Sequence, residues 1–448
     1  MAARMKDSGI EGIGLIPENW DETRRVKDIF TLSKGLPITK DNLLDEGLPV
    51  ISYGQVHSKN NTGTFIKDLL IRYVDYRYRK DRTSQVKKGD FIFADTSEDL
   101  EGCGNCVYVD RADEIFAGYH TITFCSDNTD NRYLAYLFTT DAWRTQIRKR
   151  VYAVKVYTVS QKILKECKVI LPPQREQRAI ADFLDKRCAQ IDDVITDLEK
   201  QISALQMLKK STISEAVTHG VHSSAAMKNT TDKWFPIIPD AWSIKRFKYI
   251  FEHITDGSHV SPETGLDGYP YITAADVHGL GIDYDNAKKI SKSDYEVLCK
   301  SGCRPHKDDI LLVKDGATTG RVGYMIDDTE CVVLSSVAIL RTPETLSPKY
   351  YMYMMESSNV QEQIQASMAG SAMPRTIISK IINYEGLIAP VAEQNKIAEY
   401  LDRQCEKIDA ITIAKRKQLE IIQNQKKSLI YEYVTGKKRV NEVEPYAN

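Results

Sequence analysis

Few groups of residues in this chain have spacing that chemistry could use. "CGNC" (Cys103–Cys106) has the spacing of half a zinc site, but no second CxxC follows, and "CKSGC" (Cys299–Cys303) has a different spacing. The eight histidines form no HxxxH-type pair. "GATTGRVG" (Gly316–Gly323) is glycine-rich, yet it lacks the lysine and spacing with which a phosphate loop cradles a nucleotide. An adenine methyltransferase would need an Asn-Pro-Pro-Tyr-type tetrapeptide and a glycine-rich strand-to-helix loop; neither is present. "ECK" (Glu166–Lys168) is one loose fragment of a metal nuclease's acid-and-lysine set. No active site assembles, so the expectation is a chain without catalysis, metal or cofactor of its own.

What remains is a pattern suited to nucleic acid. "IRYVDYRYRKDR" (Ile71–Arg82) interleaves arginines with tyrosines, and "RTQIRKRVYAVKVYT" (Arg144–Thr158) is basic and ends in a β-branched, aromatic run. Arginine and lysine neutralise phosphates, and tyrosine hydrogen-bonds or stacks. The same composition also suits a solvated helix face. Three polar loops follow later: "TDGSH" (Thr255–His259), "KDGATTGR" (Lys314–Arg321) and "GSAMPR" (Gly370–Arg375). Glycine permits tight turns and close backbone approach, so short polar side chains there could address base edges. Each is equally readable as an ordinary turn.

These residues need elements to hold them, and those elements occur twice. "PPQREQRAIADFLDKRCAQID" from Pro172 returns as "PVAEQNKIAEYLDRQCEKID" from Pro390. "IPENW" (Ile16–Trp20) returns as "IPDAW" (Ile238–Trp242), "RVKDIF" (Arg25–Phe30) as "RFKYIF" (Arg246–Phe251), "KKGDFIFA" (Lys87–Ala94) as "HKDDILLV" (His306–Val313), and "YLAYLF" (Tyr133–Phe138) as "YYMYMM" (Tyr350–Met355). A period of half the chain is a domain duplication; solenoid repeats run to about 20–50 residues.

Each copy opens with short β-rich runs between Gly, Asp and Pro turns and closes with a long helix. Leu184, Ile191, Leu198 and Leu205 recur every seven residues, as do Leu401, Ile408, Ile422 and Leu429, with Lys415 interrupting the second series. Ile180, Val194 and Leu208 are expected at the other seam position, widened by Ile195 and Ile202; Ile397 and Ile411 flank the second stripe. A sustained heptad stripe predicts a coiled coil. Each helix of roughly forty residues would be about 60 Å long at 1.5 Å per residue. Two such stripes in one chain bury each other most simply as an antiparallel pair. The alternative is that each packs on its own globular domain.

Composition sets the outer bounds. The chain has 448 residues, 42% hydrophobic and 27% charged, too long for one ordinary domain. Net charge is −1, so a nucleic-acid surface must be a local patch. No apolar run is long enough to span a membrane, and the first residues lack the apolar core of a signal peptide. Nine scattered cysteines suit free thiols in a reducing cytoplasm.

In order, "KDSGIEGIGLIPENW", its echo "WFPIIPDAW", the paired P…EQ…IA…LD…ID helices and "DDILLVKDGATTGRVGY" resemble the specificity subunit of type I restriction–modification enzymes, over essentially the whole chain. The resemblance implies an α+β fold with a pseudo-two-fold internal repeat. Two β-rich globular target-recognition domains, 1–172 and 223–389, would be separated by long helices at 173–222 and 390–440, with a tail at 441–448. Each domain would read one half of a split sequence in double-stranded DNA. The helix pair would fix the spacer and dock two modification subunits, which hold S-adenosylmethionine and methylate adenine. Two restriction subunits using ATP and Mg²⁺ would complete the enzyme. Other readings are a stand-alone coiled-coil DNA-binding or scaffold protein, or a methyltransferase specificity half acting without a restriction subunit.

The candidate DNA contacts are Lys34, Lys40, Tyr53, Gln55, His57, Arg77, Arg79 and Lys155 in the first copy. In the second they are Asp256, Ser258, His259, Lys314, Thr318, Thr319, Arg321, Ser371 and Arg375. The copies differ where they should read: "VYAVKVYTVSQKIL" lacks the glycine of "MAGSAMPRTIISKI", and "EGCGNC" stands against "DGATTG". The half-sites are therefore expected to be unlike.

Overall fold

The computed structural model describes residues 4–20, 23–153, 155–221, 225–265, 267–368 and 374–440. It comprises two units: residues up to 197 with those from 418 onward, and residues 198–417.

In the first unit, β1 (Thr31–Lys34), β2 (Leu48–Ile51), β3 (Arg72–Val74), β4 (Gln85–Val86), β5 (Phe91–Ala94), β6 (Cys106–Tyr108), β7 (Ile115–Ala117) and β8 (Thr121–Cys125) make two sheets. The order β6-β5-β8-β1 is antiparallel throughout, whereas β3-β2-β7-β4 has a parallel β2–β7 pair at its centre. Successive strand side chains face opposite ways, and β5 buries both sets. Phe91 and Phe93 join Phe124, Phe138 and Trp143, while Ile92 and Ala94 join Ile51, Val86 and Val107. The Phe93 and Phe124 rings stack at 4.2 Å. Helices α1 (Arg132–Thr139) and α2 (Asp141–Arg148) contribute to the aromatic cluster. Helix α3 (Gln174–His219) follows, with its residues up to 197 in this unit.

The second unit repeats the plan. Strands β9 (His253–Asp256), β10 (Tyr269–Ile272), β11 (Lys288–Ile290), β12 (Ile310–Val313), β13 (Val322–Tyr324), β14 (Val332–Val333) and β15 (Val337–Arg341) form the sheets β13-β12-β15-β9 and β11-β10-β14, the latter with β10 and β14 parallel. Helices α4 (Pro348–Glu356) and α5 (Ser358–Ser367) take the places of α1 and α2, and α6 (Val391–Val434) closes the chain. Equivalent packing recurs in detail. Trp20 meets Tyr133 edge-on at 6.4 Å, and Trp242 meets Tyr350 in the same way at 6.4 Å.

The repeated P…EQ phrase has a physical reading. Proline suits a helix start because its missing N–H is unneeded there. The glutamine ties the first turn to the incoming chain: Gln177 Nε2 donates to Pro172 O at 2.8 Å and Gln394 Nε2 to Ala389 O at 2.8 Å. The glutamate, favoured at a helix N-terminus, holds a different partner in each unit. Trp242 Nε1 donates to Glu393 at 2.9 Å, whereas Glu176 pairs with Arg439 at 2.9 Å.

Within the first unit the α3 and α6 segments run antiparallel. Phe183 lies 4.4 Å from Tyr433, and Lys426 holds both oxygens of Asp192 at 2.7 Å. In the second unit Lys209 holds Asp409 at 2.6 and 2.8 Å, and the Gly220 backbone abuts Glu393. Leu184, Leu198, Leu401 and Ile408 are buried, and Ile191, Leu205, Ile422 and Leu429 half-buried.

The second seam position differs from expectation. Val194 and Leu208 are 44% and 53% exposed, and Ile411 is 48% exposed. A seam advances by alternating steps of about four and three residues. From Leu184 that places Cys188, Ile195, Ile202 and Lys209 inward, and from Leu401 it places Cys405 and Thr412 there. The helices also end earlier than expected, at His219 and Val434. Gly220 and Gly436 adopt φ of +80° and +70°, the left-handed conformation that terminates helices.

In the second unit, Ser243–Arg246 pairs antiparallel with Glu385–Ile388. Burial, reinforced by a hydrogen bond with the Asp232 carboxyl, pushes the Glu385 carboxyl up to about 7. A group whose folded pKa is raised favours the folded state below its ordinary value of 4.5, and that advantage is lost as pH rises through about 7. Glu385→Gln should therefore raise the melting temperature of this unit at pH 8 and leave it unchanged at pH 4. Calorimetry at both values checks this, and an equal difference at the two would refute it.

Candidate nucleic-acid interface

Three loops converge in the second unit. Gly257 lets the chain cross the end of the second sheet, because a Cβ there would lie 2.0 Å from Val333 O. Ser258 N then donates to Val333 O at 2.9 Å. Lys314 N donates to Ser336 O at 2.8 Å, Thr376 N to Lys314 O at 2.9 Å and Gly316 N to Pro374 O at 2.9 Å. Residues 374–376 thereby run alongside 314–316, with Asp315 and Arg375 bridged.

A line of alternating charge results. Lys314, 2% exposed, has its Nζ 3.3 Å from Asp256 Oδ2 and 3.5 Å from Asp315 Oδ2. Arg375 Nε lies 2.8 Å from Asp315 Oδ1, and His259 Nε2 lies 3.3 Å from Asp256 Oδ2. A buried ammonium without counter-charge would cost several kcal/mol, so the two aspartates are what permit Lys314 to sit inside. Arg375 and His259 are the exposed members, at 57% and 68%.

The other candidates here are less available. Ser258 is buried, and its hydroxyl closes on Val260 O (2.8 Å) and Val260 N (3.0 Å). Thr319 Oγ1 lies 2.7 Å from Gly316 O and 3.1 Å from Pro374 O, and Arg321 donates to Val277 O at 2.7 Å. Thr318 is half-buried. Lys314 itself is enclosed, with its ammonium facing Asp256 and Asp315. Ser371 lies outside the described residues.

The first unit has the same frame with different side chains. A Cβ on Gly35 would lie 2.0 Å from Gly118 O. Asp95 N donates to His120 O at 3.1 Å, and Val159 N to Asp95 O at 2.7 Å. These bonds place Lys34 where the second unit has Asp256, Asp95 where it has Lys314, Thr96 where it has Asp315, and Thr158 where it has Arg375. Charge is reversed at two positions and absent at the other two. Asp95 pairs with His120 at 3.2 Å, and His120 has φ +54°, unusual for a residue other than glycine. Tyr53 lies 5.0 Å from the His57 ring and 6.2 Å from the His120 ring, and its hydroxyl meets Glu98 at 3.1 Å.

Gln55 and His57 hold the loop together. Gln55 Oε1 accepts from Ser52 N at 3.1 Å, while the His57 ring nitrogens face Thr96 O at 2.8 Å and Asn105 Nδ2 at 3.2 Å. Lys34, Lys40 and Lys155 are exposed. In the Tyr76–Lys80 turn, Arg77 stacks on Tyr78 at 5.1 Å and Arg79 on Tyr76 at 5.4 Å, while Tyr78 packs on the cluster of Leu36, Ile38 and Val74. That joins the 34–40 and 71–82 segments into one basic, aromatic surface. In the Arg144–Thr158 stretch Arg148 bonds Leu100 O, Glu101 O and Asp141, Lys149 pairs with Glu11, and Arg150 bonds Gln146 O, while Tyr152, Lys155 and Val156 are exposed.

Sequence reasoning missed Asp315, Asp95, His120 and Glu98. A signal for one of them existed, because extending the "FIFA"/"ILLV" match by one residue sets Asp95 against Lys314. Among the described residues no group of His, Cys, Asp and Glu side chains could hold a metal ion, and no helix is long and apolar enough to cross a membrane.

The family model described as type I restriction modification DNA specificity domain matches twice, at residues 17–205 and 239–421. The chain is similar to the MjaX specificity subunit ascribed to a type I restriction enzyme of Methanocaldococcus jannaschii, with 24% identity over 96% of each chain. It is similar to the type I restriction enzyme EcoKI specificity subunit of Escherichia coli, with 19% identity over 94% of this chain and 90% of that one. A solved structure from work on complex assembly and conformational transition of the type I R-M system shares the fold, with a TM-score of 0.66, 15% identity, and coverage of 94% of this chain and 98% of that chain.

Proposed function

Because this chain belongs to the type I restriction modification DNA specificity family, matched twice along its length, we propose that it is the sequence-reading subunit of such a system, each unit reading one half of a split DNA target. The observation that carries this is the repeated frame with unlike side chains. Gly35 and Gly257 set the same backbone crossing, yet Lys34 and Asp95 stand where Asp256 and Lys314 stand. A duplicated scaffold that varies at one end of its sheets suits two readers of different half-sites.

The remaining roles follow in the same proposal. The chain does no chemistry, and S-adenosylmethionine, ATP and Mg²⁺ belong to partner subunits. Two modification subunits dock on it, with two restriction subunits in the full enzyme, all in the cytoplasm. The α3 and α6 segments fix the spacer. Two modest readers on one stiff frame gain by effective concentration when the span fits both half-sites.

The test is genome-wide detection of methylated adenines in cells that express a modification subunit with or without this chain. The expected result is a split motif that appears with the chain. Methylation without a split motif, or a motif independent of the chain, would refute the proposal.

A further inference from the structure

We propose that the second unit holds a phosphate-binding site, in a cleft of about 300 Å³ lined by His253, Arg304, His306 and Arg341. It is separate from the three converging loops. His253 and Asp256 stand at opposite ends of β9, so the cleft lies about 10 Å from Asp256 at ~3.3 Å per residue. β9 and β15 bring two of the four groups together, because His253 and Arg341 are partners in the register. The segment after the helix Lys292–Lys300 supplies Arg304 and His306.

These groups have donors to spare. Arg304 Nε is buried with no hydrogen-bond partner, and no carboxylate among the described residues pairs with its guanidinium. A buried donor without an acceptor is unfavourable, and a ligand oxygen would relieve it. Arg341 is committed on one side only: Nε and Nη2 hold Asp309 at 2.8 and 2.6 Å, leaving Nη1. His306 Nδ1 lies 4.0 Å from Asp328, too far for a hydrogen bond, and Asp328 Oδ1 accepts from Lys307 N at 2.9 Å. No carboxylate lines the cleft; Glu252 and Glu330, other acids near these groups, lie outside the lining. Each imidazole offers an N–H in either protonation state.

The arrangement favours phosphate over a carboxylate. The donors come from β9, β15 and the 304–306 segment, and a tetrahedral phosphate has oxygens for all three. A planar carboxylate presents two oxygens, which one arginine fork satisfies. The first unit has no such set. By register Thr31 stands for His253 and Cys125 for Arg341. Lys87 stands for His306, since its N donates to Asp90 as His306 N does to Asp309. Asp90 is met by the backbone N–H groups of Lys87 and Ser126 in place of a guanidinium.

The phosphate has two sources, a DNA backbone or the free ion. The first rests on the DNA-reading function proposed above; the second does not. The full chain is melted by calorimetry in orthophosphate, acetate and chloride at equal pH and ionic strength. The second unit's melting temperature should rise with phosphate and not with acetate. Arg304→Gln should demand roughly 10- to 100-fold more phosphate for the same rise, the loss of one charge-assisted hydrogen bond. His253→Gln, at the exposed rim, should have a smaller effect in the same direction, and it decides the matter if Arg304→Gln does not fold.

Duplex DNA separates the two sources. If a backbone phosphate fills the cleft, the dependence of log affinity on log salt should be shallower by about 0.9 in Arg304→Gln than in wild type. An equal slope beside a phosphate response assigns the site to the free ion. A chain that binds no duplex refutes the DNA-reading function and leaves the melting experiment to decide the site. Acetate as effective as phosphate would overturn the proposal. So would a phosphate response that both variants keep, or no phosphate response together with equal salt slopes.

Discussion

Alanine at position 257 should cost the second unit about 3 kcal/mol or more, the upper end for inserting a methyl group into a packed site. The new Cβ would lie 2.0 Å from Val333 O and 2.4 Å from Val333 C. Backbone is the obstacle, and it is not free to yield: Val333 O accepts from Ser258 N, and β14 is paired in parallel with β10. For a unit of this size, 1 kcal/mol moves the melting temperature by about 2–4 °C, so a fall of roughly 6–12 °C is expected. Gly35→Ala should do the same to the first unit, since its Cβ would lie 2.0 Å from Gly118 O. Gly54 is the control. It sits in the short helix Tyr53–Val56 with nothing within 4 Å of an added Cβ, so Gly54→Ala should leave melting unchanged. Calorimetry on the three variants decides. A Gly257→Ala protein that melts like wild type would show that the crossing is looser than the geometry requires.

Four residues added to both long helices at matching positions should move the preferred spacer by one or two base pairs. At 1.5 Å per residue the addition is roughly 6 Å, and base pairs stack at ~3.4 Å. Methylation of the original spacing should fall sharply, because bivalent reading gives its advantage only when the span fits. The same addition to one helix alone should do worse. It would shift Asp192 from Lys426 or Asp409 from Lys209, and break the match of buried positions. A spacer series in a methylation assay reads the result. An unchanged optimum in the doubly lengthened chain would remove the ruler from the proposed function.

Much of the fold was legible in residue patterns. The duplicated phrases fixed the repeat, proline and heptad spacing marked the long helices, and Leu184, Leu198, Leu401 and Ile408 are buried as a seam requires. The seam's second position was misread at Val194, Leu208 and Ile411, because a polar side chain can be the better geometric fit. Lys209 and Lys426 occupy seam positions with aspartates to meet them. Hydropathy alone does not disclose such pairs.

The candidate site was legible as loops and not as roles. "TDGSH", "KDGATTGR" and Arg375 do come together. Which lysine is enclosed and which arginine remains exposed depends on contacts between residues far apart in the chain, as with Lys314 and Asp256. Gln55, His57 and Ser258 satisfy their own loops, a use that residue type does not separate from binding.

The tyrosine that meets the end of each long helix bears on how the molecule is made. Tyr350 donates to Val217 O at 3.0 Å, a partner 133 positions earlier, so the second unit's lock closes on chain already synthesised. Tyr133 donates to Val434 O at 2.8 Å, a partner 301 positions later, and Ile430 and Val434 belong to the same core as Trp20 and Tyr133. The first unit, although made earlier, is therefore completed later than the second. Its aromatic layer must wait, open to solvent or to a chaperone, until Ile430 and Val434 have been made.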